Sequence, residues 1–459
     1  HCISQWGYDF RPSYMQIAKI REMIPQAPIL ALTATATPEV VDDIQERLHF
    51  AEKNVFKMSF ERKNLAYVVR NTSNKQGEMV HILQSVKGSA IVYARSRKRT
   101  KEMAELLSKK GISATFYHAG LAPDEKDVRQ KAWQADEVRV MCATNAFGMG
   151  IDKPDVRMVI HIDCPDSLEA YFQEAGRAGR DGEKSYAVLL FDRSDESKLK
   201  KRIDDTFPPK EMIQDVYEHL AYFYQIGVGS GCGKTFEFDI DKFCITYKFF
   251  PTKVDSALRI LERSGYLHYE DDPDGKARVM FLLGRNELYI LDQLPPTQEA
   301  VITALLRSYG SLFVDLTFID EHLIARQAEL NIQQVYFALK NLAARHIIKF
   351  IPRRKIPFIS YTRDRVDGNK VQIPQEVWEG RREQYMKRIQ SMLQYAKNDE
   401  ICRSRQLLAY FGEHNETKCQ QCDVCLAKET EEKEKEFRRK IAEEEIIIED
   451  LKVIEKKDD

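Results

Sequence analysis

The chain has 459 residues, 43% of them hydrophobic and 31% charged, with a formal net charge of −1. That length calls for roughly three or more domains, and the balanced charge means that any nucleic-acid surface must be a local basic patch. No run of 18 apolar residues and no signal-peptide pattern occurs, which argues against a helical membrane span and for a soluble, cytoplasmic protein; nine cysteines are too sparse for a disulfide scaffold.

The chain opens on an aromatic-rich stretch, His1-Cys2-Ile3-Ser4-Gln5-Trp6-Gly7-Tyr8-Asp9-Phe10-Arg11-Pro12. Trp6 and Phe10 lie four apart, and both core packing and stacking on bases suit such rings. A helix is expected near Tyr14–Met23, a buried strand at Ile29–Leu32, the turn Thr33-Ala34-Thr35, and a new helix after Pro38. Residues 1–53 therefore read as the end of an α/β lobe.

From 54 to 205 apolar strands alternate with amphipathic helices, at Ala90–Tyr93, Ala114–Tyr117, Val138–Met141, Met158–Ile162 and Ala187–Phe191. Such alternation implies a parallel sheet with helices on both faces. Ligands bind such sheets at the C-terminal ends of the strands, which makes Ser96, Arg97 and Thr144 candidate phosphate contacts; His118 serves equally as a capping or packing residue. After the strand near 140 comes Cys142-Ala143-Thr144-Asn145-Ala146-Phe147-Gly148-Met149-Gly150-Ile151-Asp152-Lys153-Pro154. Further on, Gln173-Glu174-Ala175-Gly176-Arg177-Ala178-Gly179-Arg180-Asp181-Gly182 sets two arginines three apart among small residues. Glycines admit a charged ligand close to the backbone, and guanidinium forks hold phosphoryl charge better than lysine point charges.

Over 206–372 the pattern turns helix-rich. Val254, Ala257, Leu258, Leu261 and Leu267 repeat at an offset of 81 as Val335, Ala338, Leu339, Leu342 and Ile348. Each copy reads as a helix followed by an alternating hairpin, at Leu267–Leu283 and Ile347–Thr362. The expectation is two tandem winged-helix-like domains, 206–292 and 293–372. Only the second wing is basic, with Arg353, Arg354, Lys355, Arg363 and Arg365, so it is the better DNA contact of the two. Gly229-Ser230-Gly231-Cys232-Gly233-Lys234-Thr235 ends like a phosphate-binding loop, but position 228 is valine and an alternating strand follows where a helix is needed, so it reads as an ordinary loop.

Near the C-terminus Cys402, Cys419, Cys422 and Cys425 are spaced C-x16-C-x2-C-x2-C. Four thiolates suit tetrahedral Zn2+ and leave no open position, the mark of a structural site, in a module over 373–428. The remaining cysteines read as buried thiols, and 429–459 as a charged helical or disordered tail.

The segments 142–154 and 173–182 resemble motifs V and VI of RecA-like helicase motors, and more narrowly those of the RecQ DNA helicases. The stretch 1–12 resembles the RecQ segment that begins at the last histidine of the DExH box. Thr33-Ala34-Thr35, Tyr93-Ala94-Arg95-Ser96-Arg97, and Cys402 to Phe411 with Cys422-Asp423-Val424-Cys425 resemble further parts of that family. The resemblance covers roughly residues 1–205 and 395–428 and implies RecA-like parallel-sheet motor lobes (residues 54–205 being the second) and a four-cysteine zinc module; with the helix-rich winged-helix-like domains, carried by pattern alone, the expected fold is α/β multidomain. The resemblance also implies ATP with Mg2+ as fuel, single-stranded and branched DNA as partner, 3′ to 5′ translocation, and work in recombination and repair. By the same resemblance His1 closes the DExH box, and the phosphate loop and acidic pair belong to a piece preceding His1, so that the chain as given is expected to be inactive alone. Arg180 would be the arginine finger, Arg177 its neighbour on the phosphates, Gln173 a positioning hydrogen bond, and Gly150 and Asp152 nucleotide contacts. Trp6, Phe10 and Arg11 would clamp single-stranded DNA. Two departures stand out: Tyr8 replaces a histidine frequent in the family, and the winged domains precede the zinc module, which in the commonest arrangement follows the second lobe directly. A non-catalytic DNA-binding scaffold with a zinc module is the alternative from another class; an RNA-dependent motor shares the lobes but leaves the zinc spacing and aromatic loop without a reason.

Overall fold

The computed structural model describes residues 1–4, 12–148, 151–270, 277–284, 287, 294–310, 312–313, 316–352 and 357–455, with side-chain surroundings at 12, 13, 15, 123 and 442–455 left aside. It divides into two compact units, His1–Ile203 with Arg381–Asp459, and Asp204–Gly380.

The first unit begins with a 3-10 helix, Pro12–Lys19, that tightens the helix expected there and runs into α1 (Ile20–Met23), followed by α2 (Pro38–Arg47). The strand expected over 29–32 does not form, and Leu30 and Leu32 are 78% and 81% exposed. A strand needs neighbours to satisfy its backbone groups, and the small cluster of Ile3, Ala36, Val40, Ile44 and Leu48 supplies none.

The sheet follows: β1 (Leu65–Asn71), α3 (Lys75–Ser85), β2 (Ser89–Tyr93), α4 (Arg97–Lys109), β3 (Ala114–Tyr117), α5 (Pro123–Gln134), β4 (Val140–Ala143), β5 (Val156–His161), α6 (Leu168–Ala175), β6 (Ser185–Phe191) and α7 (Arg193–Thr206). Its six strands run parallel in the order β1-β6-β5-β2-β4-β3. β2 and β4 are buried along their whole length, which is why they read as continuous apolar runs. Alternate residues serve opposite faces: Ile91, Val159 and Leu189 enter one core, Val92, Ile160 and Val188 the other.

The second unit holds α8 (Lys210–Phe223), β7 (Thr235–Glu237), α9 (Ile240–Tyr247), α10 (Pro251–Arg263), β8 (Leu267–Glu270), β9 (Arg278–Phe281), α11 (Pro296–Ser308), β10 (Thr317–Phe318), α12 (Glu321–Gln327), α13 (Ile332–Ala344), β11 (Ile348–Ile351) and β12 (Phe358–Tyr361). The repeat is real in three dimensions, since α10 and β8 recur as α13 and β11. The hairpins expected within each copy, however, are not made. β8 pairs with β12, and β9 pairs with β11, both antiparallel, giving sheets β7-β12-β8 and β10-β9-β11. In place of consecutive domains over 206–292 and 293–372, one winged core is inserted into the wing of the other. Ile213 to Tyr269 share a core with Ile359, Tyr361 and Val371, whereas Ala277 to Ile348 build a separate one. The segment 229–234 is a loop leading into β7.

The chain then re-enters the first unit as α14 (Glu379–Lys397), α15 (Arg403–Tyr410) and α16 (Asp423–Glu455). Ile389, Met392, Tyr395, Ala396 and Leu407 pack into the core beneath the sheet with Leu65, Tyr171 and Ala175. Among the described residues no helix is long and apolar enough to cross a membrane.

Candidate functional site

Ser167 caps α6 by accepting from Ala170 N at 3.1 Å, and the helix gives way at Gly176 to the arginine-bearing loop. That loop is clamped from the segment before β1. Arg62 donates to the carbonyls of Gly176 (3.2 Å), Ala178 (3.0 Å) and Gly179 (2.9 Å), and Asn64 Nδ2 donates to Gly179 O (2.7 Å) and Glu183 O (2.9 Å). Gly179 has φ +63°, and a Cβ there would lie 2.6 Å from Asn64 Nδ2, so the clamp requires glycine.

The two arginines face different ways. Arg180 is 37% exposed and donates Nη1 to Asp152 Oδ1 at 2.7 Å and to Ile151 O at 3.1 Å. Asp152 is 81% exposed, and so open an ion pair is weakly held. Arg177 is only 7% exposed, with its guanidinium packed against Gly148. Its Nε has no partner among the described residues. Gln173 is half-buried on the last turn of α6.

A buried chain behind Arg177 links α6 to the strand ends. His161 Nε2 meets Glu174 Oε2 at 2.9 Å, and the His161 ring stacks on Tyr93 with centroids 5.3 Å apart. Tyr93 donates its hydroxyl to Phe147 O at 2.8 Å, and burial pushes that hydroxyl's pKa far up, so it stays a neutral donor. Arg62, Asn64 and His161 escape the sequence reading, and Tyr93 and Glu174 enter it only as parts of motifs, because a single polar residue beside or within an apolar element carries no periodic signal.

On the C-terminal edge of the sheet, Ser96 caps α4, accepting from Arg99 N at 3.1 Å. Arg97 lies over Gly120, where a Cβ would come within 2.7 Å of its Nη1. The pKa of His118 is lowered, first by burial and then by Arg97. Thr144 is buried, its hydroxyl accepting from Ala146 N at 3.4 Å. At the start of the chain His1 Nδ1 lies 3.1 Å from Thr33 Oγ1, joining two of the expected motifs. Trp6, Phe10, Arg11, Gly150, Arg353 and Arg354 lie outside the described residues. Arg363 and Arg365, expected on the second wing, serve the first winged core. Arg365 is buried against Glu218 Oε1 at 2.7 Å, and Arg363 donates to Gly265 O at 2.7 Å.

The sulfurs of Cys402, Cys419, Cys422 and Cys425 all lie within 4.8 Å of one another. Tetrahedral Zn2+ with Zn–S bonds of about 2.3 Å needs sulfurs about 3.8 Å apart, which this cluster accommodates. Cys402 stands at the N-terminus of α15, and its Sγ accepts from Cys419 N at 3.3 Å; Cys422 Sγ accepts from Cys425 N at 3.4 Å. Without a metal the four thiols share protons: hydrogen bonds from Cys419 and then Cys422 hold the Cys402 thiol below its ordinary pKa, and the same contacts push the Cys419 thiol up. Arg403, buried beside the cluster, pairs with Asp423 at 2.8 Å and donates to Tyr395 O, fixing the knuckle to α14. The donor set fits zinc. Among the other cysteines Cys142, Cys164 and Cys244 are buried as expected, but Cys232 is exposed on its loop.

Three family models match successive parts of the chain. They are the helicase conserved C-terminal domain over residues 74–182, the RecQ helicase winged-helix domain of Bacteroidota over 279–352, and the RecQ zinc-binding domain over 363–426. The chain belongs to the RecQ family. Among curated RecQ relatives, it is 44% identical over 239 residues to the RecQ-like DNA helicase blm-1 of Caenorhabditis elegans, covering 50% of this chain and 24% of that one. It is 47% identical over 197 residues to the ATP-dependent DNA helicase RecQ of Bacillus subtilis, covering 42% of this chain and 33% of that one. The matches span between 13% and 39% of the curated RecQ relatives' own length. The RecQ winged-helix match begins and ends within one residue of β9 and β11, so it coincides with the inserted core.

Proposed function

We propose that this RecQ chain is the second-lobe, winged and zinc-bearing part of an ATP-dependent DNA helicase. It would move 3′ to 5′ on single-stranded DNA, act on branched DNA in recombination and repair, and work in the cytoplasm, on the nucleoid if the cell is bacterial. The observation that carries this reading is Arg180, presented at the surface on a loop clamped by Arg62 and Asn64 and engaged, among the described residues, with a solvent-exposed carboxylate and a carbonyl. A guanidinium so held is preorganised for the charge that develops on a transferring phosphoryl group. Magnesium-bound ATP supplies the free energy of each step. Arg180 is the finger, Arg177 its neighbour on the phosphates, Gln173 a positioning hydrogen bond, and Gly150 and Asp152 nucleotide contacts; His1, whose ring lies 3.1 Å from Thr33 Oγ1, closes the DExH box in this reading. Ser96, Arg97 and Thr144 are assigned to DNA phosphates, Trp6, Phe10 and Arg11 to a single-strand clamp, and Arg353 and Arg354 to a duplex contact. Residues 54–205 make up the lobe and 373–428 the zinc module in this reading. Residues 1–459 hold no Gly-x4-Gly-Lys-Thr/Ser loop, so turnover is assigned to the full-length protein.

The test is DNA-stimulated ATP hydrolysis by the full-length protein, together with unwinding of duplexes with 3′ or 5′ tails. Activity on the 3′-tailed DNA alone supports the reading. Stimulation by RNA but not DNA favours an RNA motor, and DNA binding without turnover favours a scaffold.

A further inference from the structure

Side chains from three separate elements converge on Asp166, in the loop between β5 and α6. Arg95, the residue before the cap Ser96, donates Nη1 to Asp166 Oδ1 at 2.6 Å, while its backbone N–H is held by Asp163 Oδ2 at 3.0 Å. Arg202, near the end of α7, donates Nη1 to the same Oδ1 and to Cys164 O at 3.1 Å. Tyr385, on the first turns of α14, donates its hydroxyl to Oδ2 at 2.9 Å. Burial alone would raise the pKa of this carboxyl, but Arg95, followed by Arg202, outweighs it and holds the group ionised below the ordinary carboxylate range.

The places these arms come from matter more than their number. The chain leaves this unit after Ile203 and returns at Arg381. Arg202 therefore stands just before the departure to the winged domains, and Tyr385 just after the return. One carboxylate ties both ends of that excursion to the loop carrying Ser96 and Arg97.

We propose that Asp166 is a positioning residue for the phosphate-contacting loop 95–97, and that through Arg202 and Tyr385 it makes the set of that loop depend on how the winged segment is anchored. This rests on the reading of Arg97 as a DNA contact. Without the carboxylate, two guanidinium groups are left facing each other with no counter-charge, and the loop must shift to separate them.

The sign of one experiment separates positioning from simple charge. Asp166→Asn removes a negative charge near the phosphate path, so charge alone tightens binding of a labelled oligothymidylate. Positioning predicts the reverse, binding weakened by roughly fivefold or more. Tyr385→Phe changes no charge, decides the matter if Asp166→Asn does not fold, and should weaken binding by roughly two- to threefold. That effect should vanish in an Arg97→Ala background, which a general loss of stability would not produce. Arg97→Ala itself should flatten the salt dependence by about 0.7 in log–log slope. If Arg97→Ala weakens binding while Asp166→Asn and Tyr385→Phe bind as well as or better than the wild type, the clasp is overturned and the DNA reading stands. If Arg97→Ala leaves affinity and slope unchanged, the DNA reading of the loop fails and the proposal goes with it.

Discussion

Phe60 stacks on Phe411 with ring centroids 4.9 Å apart and planes 29° from parallel, joining the segment before β1 to the end of the helix that follows Cys402. Phe172 of α6 packs on both rings, at 5.9 and 5.0 Å, and Glu413 accepts from Phe60 N at 2.9 Å and from Ser59 Oγ. The zinc knuckle and the clamp residues Arg62 and Asn64 are thereby held against one face of α6, the helix that ends at the arginine loop.

Loss of one zinc ligand should reach beyond the knuckle for that reason. Protein prepared without chelator should contain one zinc ion per chain, and Cys419→Ser should abolish it and melt the segment locally; structural zinc supplies apparent folding energy of about 10–16 kcal/mol in small fingers. Metal analysis and thermal melting check this, and a metal-free wild type would refute it.

Arg180→Ala in the full-length protein should cost on the order of 10³-fold or more in ATP turnover with ATP affinity largely intact. A variant that keeps half its rate removes Arg180 from the finger role. Steady-state kinetics with separate nucleotide-binding measurements provide the answer.

Arg62 touches no substrate in this reading, yet it holds three carbonyls of the arginine loop. Arg62→Ala should lower stability by about 1–3 kcal/mol and also depress turnover, while Arg62→Lys recovers only part of either, because an ammonium cannot fork across three acceptors. Equal rescue by lysine would show that charge alone suffices.

Removing two phosphate contacts by Arg353→Ala with Arg354→Ala should flatten the salt dependence of duplex binding by roughly 1.8 in log–log slope. An unchanged slope returns that segment to the role of a spacer.

Trp6→Ala should collapse the stimulation of ATP hydrolysis by single-stranded DNA while DNA affinity falls modestly, since stacking is worth roughly 1–3 kcal/mol per base. Early melting with normal stimulation at low temperature would instead make Trp6 a core residue.

Much of this was legible in the chain itself. The runs expected at Ala90–Tyr93 and Val138–Met141 form strands at Ser89–Tyr93 and, two residues further on, Val140–Ala143; both are buried along their whole length, and burial of that kind leaves a sequence signature whatever the neighbours. The spacing of the four zinc-ligand cysteines likewise belongs to the chain, because ligands three positions apart on a knuckle converge locally. Pairing partners do not have that property. Leu267–Glu270 and Arg278–Phe281 alternate as a hairpin should, yet they pair with Phe358–Tyr361 and Ile348–Ile351 respectively. Alternation specifies which face of a strand is apolar and leaves open which strand lies beside it. Only the tertiary structure decided that the winged cores are nested. Only it, too, returned the zinc module to the sheet: Tyr395 and Leu407 bury their side chains with Tyr171 and Leu65, residues more than 200 positions away, through contacts that no local pattern records.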